Sequence, residues 1–260
     1  MSDLEFTIHE LLPGGKSIGE YMSCLIDVHA RKYPNGNWSP FCSIEYEREI
    51  HRLKYVWFPR AIYGQPPARV PVAGLWFGLF LPIRITEQGK ETLADFYVSG
   101  TKEFCIDGNA DWASVPIYVP EDECANSKVL ASIYRLAHVA DKGFGRIDYQ
   151  YLCVGFVAAA VAELLKDFDC SLIVGIEEPV GVAVGWNSGD PLYIGHMTRR
   201  GFQIRSPEEA IAGIRKRREE FTQRFQARFG PCNHFCVRRA GNVICCWVGA
   251  GGSRTGWRSG

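Results

Sequence analysis

An α+β fold, with mostly antiparallel sheet and about four helices, is what this chain predicts, and three observations carry that expectation. Blocks of aromatic and β-branched residues bounded by turn residues alternate with single helical stretches, without regular strand–helix–strand winding. One stretch, about 149–166, is apolar nearly all round its helical period and so belongs in a core. The 260 residues are 47% hydrophobic and 22% charged, ordinary globular usage that excludes a disordered or fibrous chain. The expected organisation is one domain over 1–260, with a possible subdivision near 108–120 and a flexible glycine-rich tail over 249–260.

Ser17-Ile18-Gly19-Glu20 has capping-box spacing, and Ile18, Tyr21, Met22, Leu25, Val28 and His29 follow at helical steps, so a first helix runs from Ile18 to about Lys32. Lys54–Phe58, Gly74–Ile85, Leu93–Ser99 and Glu103–Asp107 are rich in aromatic and β-branched residues. They read as an antiparallel meander. Helical spacing returns near Glu121, with Val129, Leu130, Ile133, Tyr134 and Ala137 as its apolar face. The buried helix then starts after Asp148, a natural N-cap. Ser171–Ile176, Val180–Trp186 and Leu192–Gly195 read as strands. Ser206-Pro207-Glu208-Glu209 opens a helix that should reach Phe229, because a cap, a first-turn proline and acids at the positive dipole end coincide there. A final hairpin, Phe235–Arg239 with Val243–Trp247, turns at Gly241-Asn242 in this reading, so that Cys236 faces Trp247.

Charge is sorted along the chain. Residues 199–260 carry 13 Lys and Arg against 4 Asp and Glu, whereas residues 1–198 carry 16 against 25. A basic quarter on an acidic body either docks on that body or faces an anionic partner. The acidic start, Met1-Ser2-Asp3-Leu4-Glu5, does not resemble a secretory signal, and no apolar run reaches the length of a membrane span. Ten scattered cysteines without an export signal point to reduced thiols in a cytoplasmic protein, a monomer or weak oligomer without membrane association.

Candidate chemistry is sparse. Cys153 stands one turn into the buried helix, where the dipole would favour a thiolate, and His138 and Asp148 could complete a cysteine-hydrolase set. The competing reading, a core thiol on the apolar stripe, is the stronger one. Cys232, His234, Cys236 and Cys245 form the densest set of possible metal ligands. Alternate strand residues stand too far apart for closed tetrahedral ligation, so no metal is expected. No cofactor motif rises above background, and no cofactor is expected. Trp186 and Asp190, in the turn segment 185–191, and Trp112 are candidate partner anchors. Arg217, within Arg215-Lys216-Arg217-Arg218, is a candidate phosphate contact, although Arg215/Glu219 and Lys216/Glu220 have salt-bridge spacing. The sequence therefore favours a non-enzymatic binding protein acting through protein–protein contacts, for which a neutralising, immunity-type partner is one instance. The alternatives are a nucleic-acid binder using 199–260 and a cysteine-dependent hydrolase.

Overall fold

The computed structural model describes residues 3–63, 72–86, 89–106, 110–121, 123–139, 146–169, 179–187, 191–229, 235–239 and 242–246. They fall into two compact units, 1–211 and 212–260. In the first unit, α1 (Asp3–Leu11) leads through one 3₁₀ turn to α2 (Ile18–Lys32). The expected capping box is present: Ser17 Oγ accepts the Glu20 N–H at 3.3 Å, and the Glu20 carboxylate accepts the Ser17 N–H at 2.9 Å. Two orphan N–H groups of the first turn are thereby satisfied.

A short α3 (Ser39–Cys42) precedes α4 (Tyr46–Arg52), which continues through a π-helical stretch, Leu53–Trp57, into α5 (Phe58–Tyr63). This corrects the strand expected at Lys54–Phe58. Strand propensity is a weak guide where burial follows another period. Ile50, Leu53, Trp57, Phe58, Ala61 and Ile62 are buried in steps of one, three and four, while Tyr55 and Val56 face out. That spacing is helical.

A six-stranded sheet follows, built from β1 (Gly74–Phe80), β4 (Asp95–Thr101), β5 (Pro116–Tyr118), β6 (Val180–Trp186), β7 (Leu192–Thr198) and β8 (Gly201–Ile204). The order is β5-β4-β1-β6-β7-β8. Only the central pair, β1 with β6, is parallel; the flanking pairs are antiparallel. The expected strand Gly74–Ile85 is divided at Leu81-Pro82, where proline cannot continue the ladder. Beyond it, β2 (Ile83–Thr86) leaves the sheet and pairs with β3 (Gly89–Thr92) as a separate hairpin. Glu103–Ile106 is irregular and not a strand; Asp107 and the strand expected at Ser171–Ile176 lie outside the described residues. β8 was not anticipated.

Helices α6 (Lys128–Val139) and α7 (Arg146–Leu165) connect the two halves of the sheet in sequence. The α6 start is set by Ser127, whose Oγ accepts the Leu130 N–H at 3.2 Å. α7 is the buried helix expected, with Leu152, Cys153, Phe156, Val157, Ala160, Val161, Leu164 and Leu165 all inaccessible. It begins two residues before Asp148, which therefore stands in the first turn and not at the cap.

One sheet face, with Leu75, Phe77, Leu79, Phe96, Val98, Val182 and Val184, joins the helices in a single core. The other carries a second cluster: Trp76, Trp112, Ala113 and Ala183, with Tyr97 and Phe104 against it. Helix α8 (Pro207–Phe229) opens on its own capping box, Ser206 with Glu209, at 3.0 and 3.2 Å. In the second unit β9 (Phe235–Arg239) and β10 (Asn242–Cys246) pair with Cys236 opposite Cys245. The expected register, Cys236 opposite Trp247, is thus displaced by two residues, because Arg239 already pairs with Asn242. Among the described residues no helix is long and apolar enough to cross a membrane.

Candidate functional site

Among the described residues the sequence-derived candidates Cys153 and His138 stand in different environments, one buried and one exposed. Cys153 is fully buried, and desolvation pushes its thiol well above the ordinary cysteine range, opposite to what a nucleophile needs. His138 is exposed at the end of α6; its Nδ1 donates to the Tyr134 carbonyl at 2.8 Å, and its ring stacks on Tyr134 and meets the edge of Tyr149. Asp148 lies in α7, with its side chain outside what the structure describes. Trp186 is half-buried: its Nε1 donates to the Gln150 carbonyl at 3.3 Å and its ring meets Tyr149 edge-on. Trp112 is buried in the second cluster and offers no surface anchor. Asp190, Cys232 and His234 lie outside the described residues, as do the side chains of Arg217, Cys236 and Cys245.

What the fold does bring together is a set of charges that sequence reading passed over. Glu49 on α4 is almost wholly buried; its carboxylate accepts two bonds from Arg52, at 2.8 and 3.1 Å, and the backbone N–H of Lys128 at 3.0 Å. Arg52 also donates to the Ala125 carbonyl at 2.8 Å. Across the same junction Asp95, also buried, accepts the N–H groups of Phe96 and Ser127 and a 2.8 Å bond from Arg84. Burial nevertheless holds the Asp95 carboxyl above its usual range, the desolvation outweighing those bonds. Asn126 completes the junction in the left-handed region (φ 52°), its Oδ1 accepting from Arg84 and its Nδ2 donating to the Cys124 carbonyl. Asparagine tolerates that conformation better than most residues. Two buried acids thus fix α4, β2, β4 and the start of α6 to one another.

This junction positions a groove of about 800 Å³ between α4 and α6. Arg48, His51 and Arg52 line it from α4; Lys128, Ser132 and Arg135, spaced by four and three, line it from α6; Ile44, Val56, Val129 and Leu136 supply apolar wall. The neighbouring acids are already engaged: Glu45 with Arg48, Glu49 with Arg52, and Glu91 with Arg135. Lys128 has no carboxylate partner among the described residues, although it is the first residue of a 12-residue helix, where the dipole disfavours a cation.

Arg135 also ties the β2–β3 hairpin to the groove, because Glu91 on β3 accepts its guanidinium at 2.6 and 2.9 Å. Those bonds hold the Glu91 carboxyl below its usual range. On the hairpin Arg84 pairs with Glu91 across the strands and both turn inward. The opposite side carries Ile83 and Ile85, which are 67% and 84% exposed, with Leu81 next to them at 41%.

No family model, curated protein or solved structure matches the chain. The site is read from its own chemistry. Its residues were legible in part: Glu45/Arg48 and Glu49/Arg52 have the i,i+3 spacing of a charged helix face, and Ser127 before an apolar run marks a helix start. Nothing in the sequence showed that α4 and α6 would face one cavity.

Proposed function

We propose that the protein is a non-enzymatic binding protein that acts through contact with another protein. The observation that carries this reading is the β2–β3 hairpin. Its inner side is held by Arg84–Asp95 and Arg135–Glu91, so the outward row of Leu81, Ile83 and Ile85 is presented on an anchored arm. Adjacent exposed branched aliphatics on a two-stranded arm are characteristic of a contact surface, because a free apolar hairpin edge otherwise invites aggregation. A preformed arm also lowers the ordering cost of association. The exposed free thiols Cys42 and Cys105 suit a reducing compartment, which supports an intracellular role.

The test is capture from an extract of the source cells, comparing the wild-type protein with an Ile83→Asp/Ile85→Asp variant. A protein retained by the first and lost from the second supports the reading. Retention of nuclease-sensitive material only would transfer the role to the basic segment 199–260. Retention of nothing by the wild type would overturn it.

A further inference from the structure

We infer that the α4–α6 groove is a docking site for an acidic segment of a protein partner, with apolar residues interspersed among its carboxylates. The inference rests on the partner-binding reading and adds the chemistry of what is bound. Two helices present cations to one cavity, Arg48 and Arg52 from α4 and Lys128 and Arg135 from α6, with Glu45 and Glu49 also in its lining. Like charges lining a shared cavity repel, and the acids that offset them are already engaged by Arg48, Arg52 and Arg135. Lys128 is left over, at a helix end where the dipole adds to the repulsion. A carboxylate entering the groove would meet that ammonium, the remaining N–H donors of Arg48 and Arg135, and the Ser132 hydroxyl. The three carboxylates already in place offset the three arginines and hold their guanidinium planes in position before anything binds, so that Lys128 supplies the net charge of the groove.

The walls decide between a diffuse polyanion and an acidic peptide. Ile44, Val56, Val129 and Leu136 give the groove an apolar component. Phosphodiester chains gain little from branched aliphatic walls, since bases are held by aromatic faces and guanidinium planes. A peptide with alternating acidic and aliphatic side chains satisfies both parts. Its carboxylates would set encounter rate and orientation, and its apolar side chains would supply most of the affinity.

The experiment is fluorescence anisotropy of the full chain with a short labelled peptide of Glu and Leu residues and, as control, its Lys and Leu counterpart. The acidic peptide should bind and the basic one should not. Arg48→Glu and Lys128→Glu should each weaken binding at least about tenfold, the size expected when a contacting charge is reversed. Arg31→Glu, an exposed change on α2 outside the groove, should leave affinity unaltered. Among the described residues Arg48 is paired only with the exposed Glu45, so its reversal spares the fold and keeps the test decisive even if Lys128→Glu perturbs α6. Absence of acidic-peptide binding, equal binding by the Arg48 variant, or displacement by a single-stranded oligonucleotide at equal concentration would each overturn the inference. A captured partner that the groove variants still hold would also overturn it, while leaving the partner-binding reading intact.

Discussion

The two faces of the six-stranded sheet are made by one alternating backbone and filled in opposite ways. On the helix-covered face Leu75, Phe77, Leu79, Phe96, Val182 and Val184 stand as large side chains in one core with α7, on which α2 packs in turn. On the other face the central strands carry Gly74, Trp76 and Gly78 on β1 against Gly181, Ala183 and Gly185 on β6, with Gly74 opposite Gly181 and Gly78 opposite Gly185. Apart from Trp76 these two strands supply little volume there, and Phe104 and Trp112 come from outside the sheet. Phe104 lies where side chains at Gly74 and Gly181 would be: a Cβ at Gly181 would stand 2.2–2.4 Å from its ring atoms. Trp112 meets Trp76 edge-on at 5.9 Å, and Phe104 links Trp112 to Tyr193. A short polar chain borders the cluster, Trp76 Nε1 donating to the Tyr97 hydroxyl and that hydroxyl donating to Asn187. The comparison teaches that glycine on these strands provides volume, not backbone freedom. An irregular stretch bearing Phe104 and a short 3₁₀ helix, Ala110–Ser114, bearing Trp112 then close a core against strands with little side-chain volume.

The largest expected effect tests whether the second face is a core at all. Phe77→Ala, on the helix side, should destabilise by about 3–5 kcal/mol, the range for deleting a buried phenyl ring. Trp76→Ala, one residue along and on the opposite face, should fall in the same range because Trp76 is only 2% exposed. Urea denaturation of both variants measures this. A cost below about 1 kcal/mol for Trp76→Ala, the scale of a surface change, would reduce the aromatic face to a surface layer.

The helix side holds a buried histidine. His29 is fully buried between Trp38 and Tyr151, with neither ring nitrogen hydrogen-bonded. Burial, and secondarily the charge of Lys32, pushes its pKa down from 6.5 to about 4. The unfolded chain therefore takes up a proton at a higher pH than the folded one. Stability from this group is complete above the unfolded value and is lost as pH falls toward the folded value, by about 3 kcal/mol in all. His29→Phe should flatten that part of the pH–stability curve, measured by denaturation midpoints on either side of the window. An unchanged slope would show that His29 does not titrate as buried.

Smaller effects separate two glycines that both admit a neighbour. Gly181→Ala forces the Phe104 ring off β6 and should cost about 1–3 kcal/mol, as overpacking does. Gly155→Ala on α7 would bring a Cβ to 2.3 Å from Leu25 Cδ2, a comparable clash. It also gains up to about 1 kcal/mol of helix propensity, so its net cost should be the lower of the two. The reverse order in thermal unfolding would mean that Phe104 yields more readily than Leu25.

Legibility in the sequence followed the same division. α2 and α8 are readable because capping residues and a 3.6 period agree, α7 because its apolar residues run nearly all round, and β6 because a glycine-and-valine run is bounded by turns. The segment 54–58 misled because aromatic and β-branched residues outweighed a burial period that only the longer window, Ile50 to Ile62, displays. The second core was hidden for another reason. It depends on Phe104 and Trp112, which carry no periodicity and meet the strands only through tertiary structure. The groove was hidden likewise: Arg52 and Lys128 are far apart in sequence, and their shared partner, Glu49, looks in isolation like one more acid on a charged helix.

The smallest effect concerns the hairpin, where alternation again separates two environments on one strand. Arg84 points inward to Asp95, whereas Ile85, the next residue, is 84% exposed and contributes little to the fold. Ile85→Thr keeps a β-branched side chain that suits a strand and removes part of the apolar surface, so stability should change by no more than about 0.5 kcal/mol. The same change should weaken retention of a captured protein, because the lost surface belongs to the contact and not to the core. Equilibrium denaturation and quantitative capture with one purified variant measure both quantities. A large loss of stability with retention unaltered would place Ile85 in the fold's own packing and remove the hairpin from the binding surface.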